Sequence, residues 1–121
     1  MHYEKEWPPR FRGNGKTYVF DIDGTICTDT YGEYEKAEPL PHRIEQVNEL
    51  YDNDHTIILF TARGMGRTEG NVLEAQRRFF DLTLKQVEQW GIKYHRLILG
   101  KPAADFYIDD KGIKDGDFFG D

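Results

Sequence analysis

The stretch Tyr18-Val19-Phe20-Asp21-Ile22-Asp23-Gly24-Thr25 decides the fold of this chain. Three apolar or aromatic residues lead into two carboxylates one residue apart, which is typical of a buried strand that ends where it leaves the core. Gly24 permits the backbone turn that ends the strand. Because ligands of open α/β sheets bind at the carboxyl ends of the strands, the pattern predicts a ligand site at Asp21 and Asp23.

Two neighbouring carboxylates repel each other, and burying either of them is costly. A divalent cation resolves this conflict, and hard oxygen ligands at this spacing suit Mg²⁺. Two alternatives remain at this point, a calcium-binding loop and an inert turn. Counting from Asp21, the twelfth position, where an EF-hand loop has Glu, is Gly32, and the seventh is Cys27. The preceding residues also predict a strand and not a helix, so the calcium loop is disfavoured.

The composition is that of one acidic domain without a membrane span. The 121 residues suffice for one core, and no apolar run approaches the roughly 20 residues that cross a bilayer. The formal net charge of −6 argues against non-specific nucleic-acid binding, which depends on neutralising phosphates. Cys27 is the single cysteine and residues 1–16 lack an apolar signal-peptide core, so we expect a cytoplasmic protein without an intrachain disulfide.

Strand and helix patterns alternate along the chain, which predicts a parallel sheet covered by helices. We expect residues 1–16 to form an irregular N-terminal extension and residues 17–121 to form a single domain. Within this domain the patterns predict, in order, a strand over 17–22, a flap-like loop over 26–38, a helix beginning near Pro41, a strand over 56–60, a helix over 71–90, a strand over 94–99 and a strand over 106–108.

A chemically useful side chain stands at the end of every predicted strand of the domain. Since the carboxyl ends of parallel strands lie along one edge of a sheet, these groups are expected to converge. Carboxylates there would hold Mg²⁺, while a hydroxyl and an ammonium would hold phosphate oxygens. The residues, in strand order, are Asp21 and Asp23, then Thr61 with Ala62 and Arg63, then Lys101, and finally Asp109 with Asp110.

These four elements resemble the signature of the haloacid dehalogenase (HAD) superfamily of phosphohydrolases. That family has a strand running into DxDGT, a strand ending in Ser or Thr, a Lys, and a strand ending in two Asp, and this chain shows them in that order over about residues 17–115. The resemblance implies a Rossmann-like, three-layer α/β sandwich with a central, mostly parallel sheet. More narrowly, Pro39-Leu40-Pro41, Phe60-Thr61-Ala62-Arg63-Gly64 and Gly100-Lys101-Pro102 resemble a small capless subgroup associated with capsule and surface-polysaccharide synthesis.

The resemblance also implies roles for the residues of the motifs. Asp21 would attack phosphorus and form an aspartyl-phosphate. Asp23 would protonate the leaving oxygen and then deprotonate the hydrolytic water. The side chain of Asp21, the backbone carbonyl of Asp23 and the side chain of Asp110 would coordinate Mg²⁺. Phosphate would be bound by Thr61, Ala62 and Lys101.

Three further residues are assigned weaker roles. Asp109 would orient Lys101 or a metal-bound water. Arg63 would either reach a substrate anion or form a surface salt bridge, and the sequence favours neither. Cys27 is expected to be a packed thiol, since nothing near it in sequence indicates an activated thiolate.

Spacing leaves no room for a cap domain, because Asp21 and Thr61 are 61 − 21 = 40 positions apart and Thr61 and Lys101 are 101 − 61 = 40 apart. We therefore expect an open site, covered by a second subunit of a homo-oligomer through Trp7, Phe11 and the flap. The expected substrate is a small phosphorylated metabolite such as a sugar phosphate, with no membrane partner. A polynucleotide 3′-end phosphatase and a non-catalytic phosphate-binding or assembly subunit are the alternatives, although the acidic charge disfavours nucleic acid as a partner.

Overall fold

The fold is a small α/β domain built on a mostly parallel sheet, and the computed structural model describes residues 2–5, 7 and 15–121. The strands β1 (His2–Glu4), β2 (Thr17–Phe20), β3 (Thr56–Thr61) and β4 (Arg96–Leu99) lie in the order β1-β4-β3-β2. Strands β2, β3 and β4 are parallel, and β1 pairs antiparallel with β4. Within the described ranges, no helix is long and apolar enough to cross a membrane. The elements are β1 (His2–Glu4), β2 (Thr17–Phe20), a short 3₁₀ helix (Tyr34–Lys36), α1 (Pro41–Asp52), β3 (Thr56–Thr61), α2 (Val72–Gln89), β4 (Arg96–Leu99) and α3 (Asp115–Phe119).

The hydrophobic core lies on one face of the sheet. Phe20, Leu59 and Leu97 occupy one row across β2, β3 and β4, and all three are buried. The same core takes side chains from all three helices: Ile44, Val47, Phe80, Val87 and Phe119. Both crossovers step in the same direction across the sheet, so right-handed connections place α1 and α2 on the same side. The described residues therefore form two layers, and the three-layer arrangement expected from the sequence is not found among them.

Local sequence signals place the two long helices. Pro41 begins α1, where its missing N–H is not needed. Asn71 caps α2 by accepting a hydrogen bond from the backbone N–H of Glu74 at 3.0 Å. Gly91 follows α2 with a φ of +73°, a conformation that favours glycine after a helix end. The predicted helix over 71–90 is therefore confirmed to within one residue at each end.

The expectation that residues 1–16 are irregular is wrong at their beginning. Tyr3 pairs with Leu97 in β1, and the backbone N–H of Lys5 donates to His95 O at 2.9 Å. The sequence of this polar segment has no strand-like pattern of its own. The strand β1 is stabilised by its pairing with β4, which a local pattern does not reveal. Further along, the guanidinium of Arg96 lies over the ring of Trp7 at 4.9 Å. Phe11, the other proposed interface residue, lies outside the described residues.

The strand predicted over 106–108 does not form. Phe106 and Ile108 are 82% and 95% exposed, and the described sheet ends at β2 without a further neighbour. The reason is the length of the connection. Only residues 100–105 separate the end of β4 from Phe106, whereas a parallel crossover takes about a dozen residues or more. An apolar run resembles a strand in sequence, but this one follows a connection shorter than a parallel crossover usually has.

Helix α3, which the sequence patterns did not reveal, is held to the domain by Arg43 of α1. Arg43 donates to Asp115 at 2.8 Å and to both carboxylate oxygens of Asp121 at 2.9 and 2.6 Å. The same guanidinium donates to Thr25 O at 3.1 Å, which connects the chain's end to the turn after β2. These hydrogen bonds hold the pKa values of Asp115 and Asp121 below the usual 3.8.

We therefore expect Arg43→Gln to destabilise the protein at neutral pH and to matter less in acid. Because the carboxylate pKa values are lowered in the folded state, the stabilisation is complete above about pH 4 and disappears as the pH falls through the folded pKa values. Urea unfolding of wild type and variant should give curves that converge as the pH falls below 4. Arg77→Gln, which removes an exposed pair with Glu74 at 3.6 Å, is the matched control and should change little at any pH.

Candidate functional site

Asp21 and Asp23 follow β2 and lie on either side of a buried isoleucine in the sequence. Ile22, between them, has no exposed surface, so its neighbours turn away from the core. Ile22 O accepts hydrogen bonds from the backbone N–H groups of Thr25 and Ile26, both at 3.0 Å, which closes the turn. Both Asp21 and Asp23 then line one cavity of 180 Å³.

The ends of β3 and β4 are joined to each other through one carbonyl group. Thr61 O accepts from the backbone N–H groups of Gly100 and Lys101, both at 3.1 Å, so the residue after β4 is fixed beside the end of β3. The Lys101 ammonium consequently lies 3.9 Å from Asp21 Oδ2. Three of the four predicted strand ends are therefore brought together.

The cavity at this edge is small, and both polar and apolar groups line it. Ala62 lines it beside Thr61, as expected for residues that would bind phosphate. A larger cavity of 450 Å³ lies elsewhere, between α1 and Trp90, and none of the predicted site residues lines it. The complete lining of the smaller cavity is Asp21, Asp23, Asp29, Gly32, Tyr34, Thr61, Ala62 and Arg63.

The electrostatics of Asp21 are those of a partly buried anion. Burial raises the pKa of Asp21 above its ordinary value, Lys101 offsets part of this shift, and the negative charge of Asp23 adds to it. A bound cation or a proton would reduce the electrostatic cost of this partly buried negative charge. Nearby, burial raises the pKa of Cys27 to about 12, so the thiol stays neutral at physiological pH. Cys27 has no exposed surface, which confirms that it is a packed thiol.

The fourth predicted group, Asp109 and Asp110, is not brought to the cavity. The Asp109 carboxylate accepts from the backbone N–H groups of Lys111 and Gly112 at 2.7 and 2.5 Å, which closes a local turn and lowers its pKa. Asp110 is exposed and pairs with Lys111 at 3.0 Å. Because the strand over 106–108 does not form, these carboxylates are not carried to the sheet edge. Their predicted supporting and metal-binding positions are therefore not found here.

The assembled donors fit a divalent cation only in part. The described residues contain no group of three or more His, Cys, Asp or Glu side chains arranged to hold a metal ion. The Asp21 carboxylate borders the cavity, but both carboxylate oxygens of Asp23 are bonded to Arg63. Asp21 and the backbone of Asp23 are thus the positions that would hold Mg²⁺, and a fuller set would require a further ligand.

Arg63 has a role that neither sequence interpretation anticipated. Its side chain has no exposed surface, so it does not form a surface salt bridge. Nε donates to Asp23 Oδ2 at 2.9 Å and Nη2 donates to Asp23 Oδ1 at 3.0 Å. The guanidinium is therefore engaged with Asp23 and is not available to bind a substrate anion. Sequence gave no sign of this pair, because its partners are 40 positions apart.

The loop over 26–38 lines one side of the cavity from within the same chain. Tyr34 Oη accepts from the backbone N–H of Gly64 at 2.9 Å, and Arg67 donates to Gly32 O at 2.6 Å. Gly64 has a φ of +79°, and a Cβ there would lie 2.5 Å from the Phe79 ring, so only glycine lets this turn pass beneath α2. The flap residues Asp29, Gly32 and Tyr34 were missed as site residues, since nothing in their spacing relates them to the strand ends.

Comparison with solved structures finds one with the same architecture, a structural genomics target from Vibrio cholerae. The two chains are 28% identical and superpose with a TM-score of 0.79, over 86% of this chain and 87% of the other. They share a fold. No protein-family model matches the chain, and no curated protein matches it.

Proposed function

We propose that this protein is a phosphomonoester hydrolase that acts through an aspartyl-phosphate, as its resemblance to the HAD superfamily implies. The observation that carries the proposal is the meeting of Asp21, Thr61 and Lys101 at three adjacent strand ends, with the ammonium 3.9 Å from the carboxylate. A carboxylate nucleophile beside a fixed cation and a hydroxyl is suited to phosphoryl transfer, in which positioning and charge stabilisation dominate catalysis.

In the first half-reaction, an oxygen of Asp21 attacks phosphorus and the bond from phosphorus to the leaving oxygen breaks. Asp23 donates a proton to that oxygen, so the alcohol leaves neutral. Lys101, the Thr61 hydroxyl and backbone N–H groups near Ala62 stabilise the charge on the phosphoryl oxygens. Bound Mg²⁺, held at Asp21 and the backbone of Asp23, would supply further charge neutralisation for the phosphoryl group.

In the second half-reaction, Asp23 takes a proton from a water molecule, whose oxygen attacks the phosphorus of the aspartyl-phosphate. The bond between phosphorus and the Asp21 oxygen breaks, which releases inorganic phosphate and restores both carboxyl groups to their starting forms. Because one residue serves as acid and then as base, its orientation towards the cavity matters in both steps.

The size of the cavity limits how much of a substrate it could enclose. At 180 Å³ it is smaller than the roughly 300–1,000 Å³ of sites that enclose a drug-sized ligand, so it suits a phosphoryl group whose leaving group extends outwards. We propose a small phosphorylated metabolite such as a sugar phosphate of polysaccharide synthesis, hydrolysed in the cytoplasm.

A phosphate-release screen tests the proposal directly. Sugar phosphates, nucleotides and 3′-phosphorylated oligonucleotides should be compared with Mg²⁺ at equal concentrations. Turnover of the sugar phosphates is the expected result. Exclusive turnover of the oligonucleotides would identify a polynucleotide 3′-end phosphatase instead. Phosphate binding without turnover of any substrate would contradict the proposal and favour a non-catalytic subunit.

Activity is expected to require Mg²⁺ and to be inhibited by Ca²⁺. Ca²⁺ takes more oxygen ligands in a looser geometry and would draw the second oxygen of Asp21 away from phosphorus. Phosphate release should therefore fall to background after chelation, return with Mg²⁺ and fall again when Ca²⁺ is added. Full activity in the chelated protein would eliminate the metal requirement.

Asp110→Asn shows whether the substrate-bound protein recruits this carboxylate. An increased Mg²⁺ requirement in the variant would place Asp110 at the metal during turnover, as the resemblance implies. An unchanged Mg²⁺ requirement would mean that the exposed position seen here persists.

Self-association remains part of the proposal, but the flap reduces the need for it. The flap already lines one side of the cavity within one chain, where Tyr34 is held by the backbone N–H of Gly64. Light scattering over a dilution series, with specific activity measured in parallel, is expected to show an active homo-oligomer. A monomer of undiminished activity would leave the flap as the sole cover of the site.

A further inference from the structure

The guanidinium of Arg63 is a buried cation that donates two parallel hydrogen bonds to the carboxylate of Asp23. The bonds from Nε and Nη2 to the two oxygens of Asp23 measure 2.9 and 3.0 Å, and this planar fork fixes the plane of the carboxylate. The Asp23 side chain is 18% exposed, so one side of it still faces the cavity. The geometry therefore restrains how Asp23 presents its remaining lone pairs.

Helix α2 holds the opposite side of the guanidinium. Arg63 Nη1 donates to Thr83 Oγ1 at 3.1 Å and to Gln86 Oε1 at 2.5 Å. The ring of Tyr34 lies 4.9 Å from the guanidinium carbon. Gln86 in turn donates to Tyr34 O at 2.7 Å, which joins the helix to the flap. Thr83, Gln86 and Tyr34 therefore hold the Arg63 guanidinium in place independently of its contact with Asp23.

This arrangement is costly if its purpose is stability alone. Taking both charges out of water is expensive, and well-packed apolar residues of similar volume are often as stable as a buried ion pair or more so. An ionised carboxylate offers about four lone-pair sites. On Asp23 the two Arg63 bonds use two of them, and Cys27 Sγ donates to Oδ1 at 3.5 Å. Asp23 still lines the cavity, so these bonds fix the orientation in which its carboxylate meets a bound molecule.

We propose that Arg63 is a positioning residue that, held by Thr83 and Gln86, sets the orientation of Asp23 for proton transfer. This inference rests on the proposed function. It assigns α2, which contributes no residue to the predicted catalytic set, a part in the chemistry. Arg63 acts through Asp23 and does not touch the substrate.

Gln86→Leu tests the inference by removing one hydrogen-bond partner of Arg63 while leaving the Arg63 and Asp23 side chains in place. We expect kcat to fall by about 10–100-fold, the range seen when a hydrogen-bonding partner that orients a functional side chain is removed, with KM nearly unchanged. The loss should shrink for substrates with very good leaving groups, which need no proton. Gln76→Leu is the matched control, because Gln76 is a buried glutamine of the same helix that donates to Leu99 O and should retain wild-type kcat.

A double-mutant cycle with Arg63→Gln and Asp23→Asn separates positioning from a structural role. If Arg63 acts through Asp23, the double variant should be no slower than Asp23→Asn alone. Additive losses, or a loss in Arg63→Gln that is independent of the leaving group, would overturn the inference. Equal kcat values for Gln86→Leu and Gln76→Leu would also overturn it. This comparison still tests the inference if the Arg63→Gln protein does not fold.

The same cycle measured by thermal unfolding of metal-free protein needs no substrate. Non-additive shifts in Tm would confirm that Arg63 and Asp23 are paired in solution, whereas additive shifts would overturn the inference whatever the substrate is. The two failures can be told apart. If the Tm shifts are coupled but no phosphoester is hydrolysed, Arg63 and Asp23 are paired and the proposed function is wrong. The positioning role would then be rejected together with that function.

Discussion

Asp21→Asn is expected to abolish phosphate release and to leave Tm unchanged or raised. An amide is nearly isosteric with the carboxylate but cannot form the acyl-phosphate, so no covalent intermediate accumulates. Stability should not suffer, because burial raises the pKa of Asp21 and thus penalises its charged form in the folded protein. Replacing that charge with a neutral amide removes the penalty. Functional sites often show this relation, in which a substitution that removes activity leaves stability unchanged or raises it.

Two measurements decide this prediction. Phosphate release by purified Asp21→Asn protein should be at background for every substrate that the wild type hydrolyses, and thermal unfolding in the same buffer should show that the fold persists. Near-normal turnover would eliminate covalent catalysis by this residue. A large drop in Tm would instead show that its contact with Lys101 stabilises the fold more than burial opposes it.

The sequence predicted those parts of the site that local patterns control. An apolar run followed by Asp21 and Asp23 indicates where a strand leaves the core, and Thr61 and Lys101 each follow a similar run. Since parallel strands share one edge, their convergence followed from the order of strands and helices alone. The apolar pattern also placed the long helix over 71–90, and the structure shows that Asn71 caps its first turn.

The sequence did not predict the features that depend on contacts between distant residues. Segment 106–108 has a strand-like composition, but whether it pairs depends on the length of the connection and on a free edge. Conversely, β1 has no strand-like pattern and exists through its pairing with β4. The partner of Arg63 is 40 positions away, and a periodic pattern carries no information about such a pair. Tertiary context overrides local pattern in each case.

Asp23→Asn is expected to slow catalysis by about 10²–10⁴-fold, the usual loss of general acid–base catalysis, and unlike Asp21→Asn to lower the stability. The difference comes from Arg63. Removing the charge of Asp23 leaves the buried guanidinium without its counterion, which costs about 3 kcal/mol, the lower end for breaking a buried pair. The retained amide oxygen and the 18% exposure of Asp23 place the cost at that lower end.

Burst kinetics and thermal unfolding test both halves of the Asp23→Asn prediction. With a very good leaving group the first step needs no proton, so the burst should recover while the steady-state rate stays low because the water still lacks a base. A burst as impaired as that of the natural substrate would eliminate the acid role. Adding Arg63→Gln to Asp23→Asn removes the unpaired cation and should restore part of the lost Tm. A further decrease in Tm would show that Arg63 stabilises the fold through Thr83, Gln86 and Tyr34 independently of Asp23.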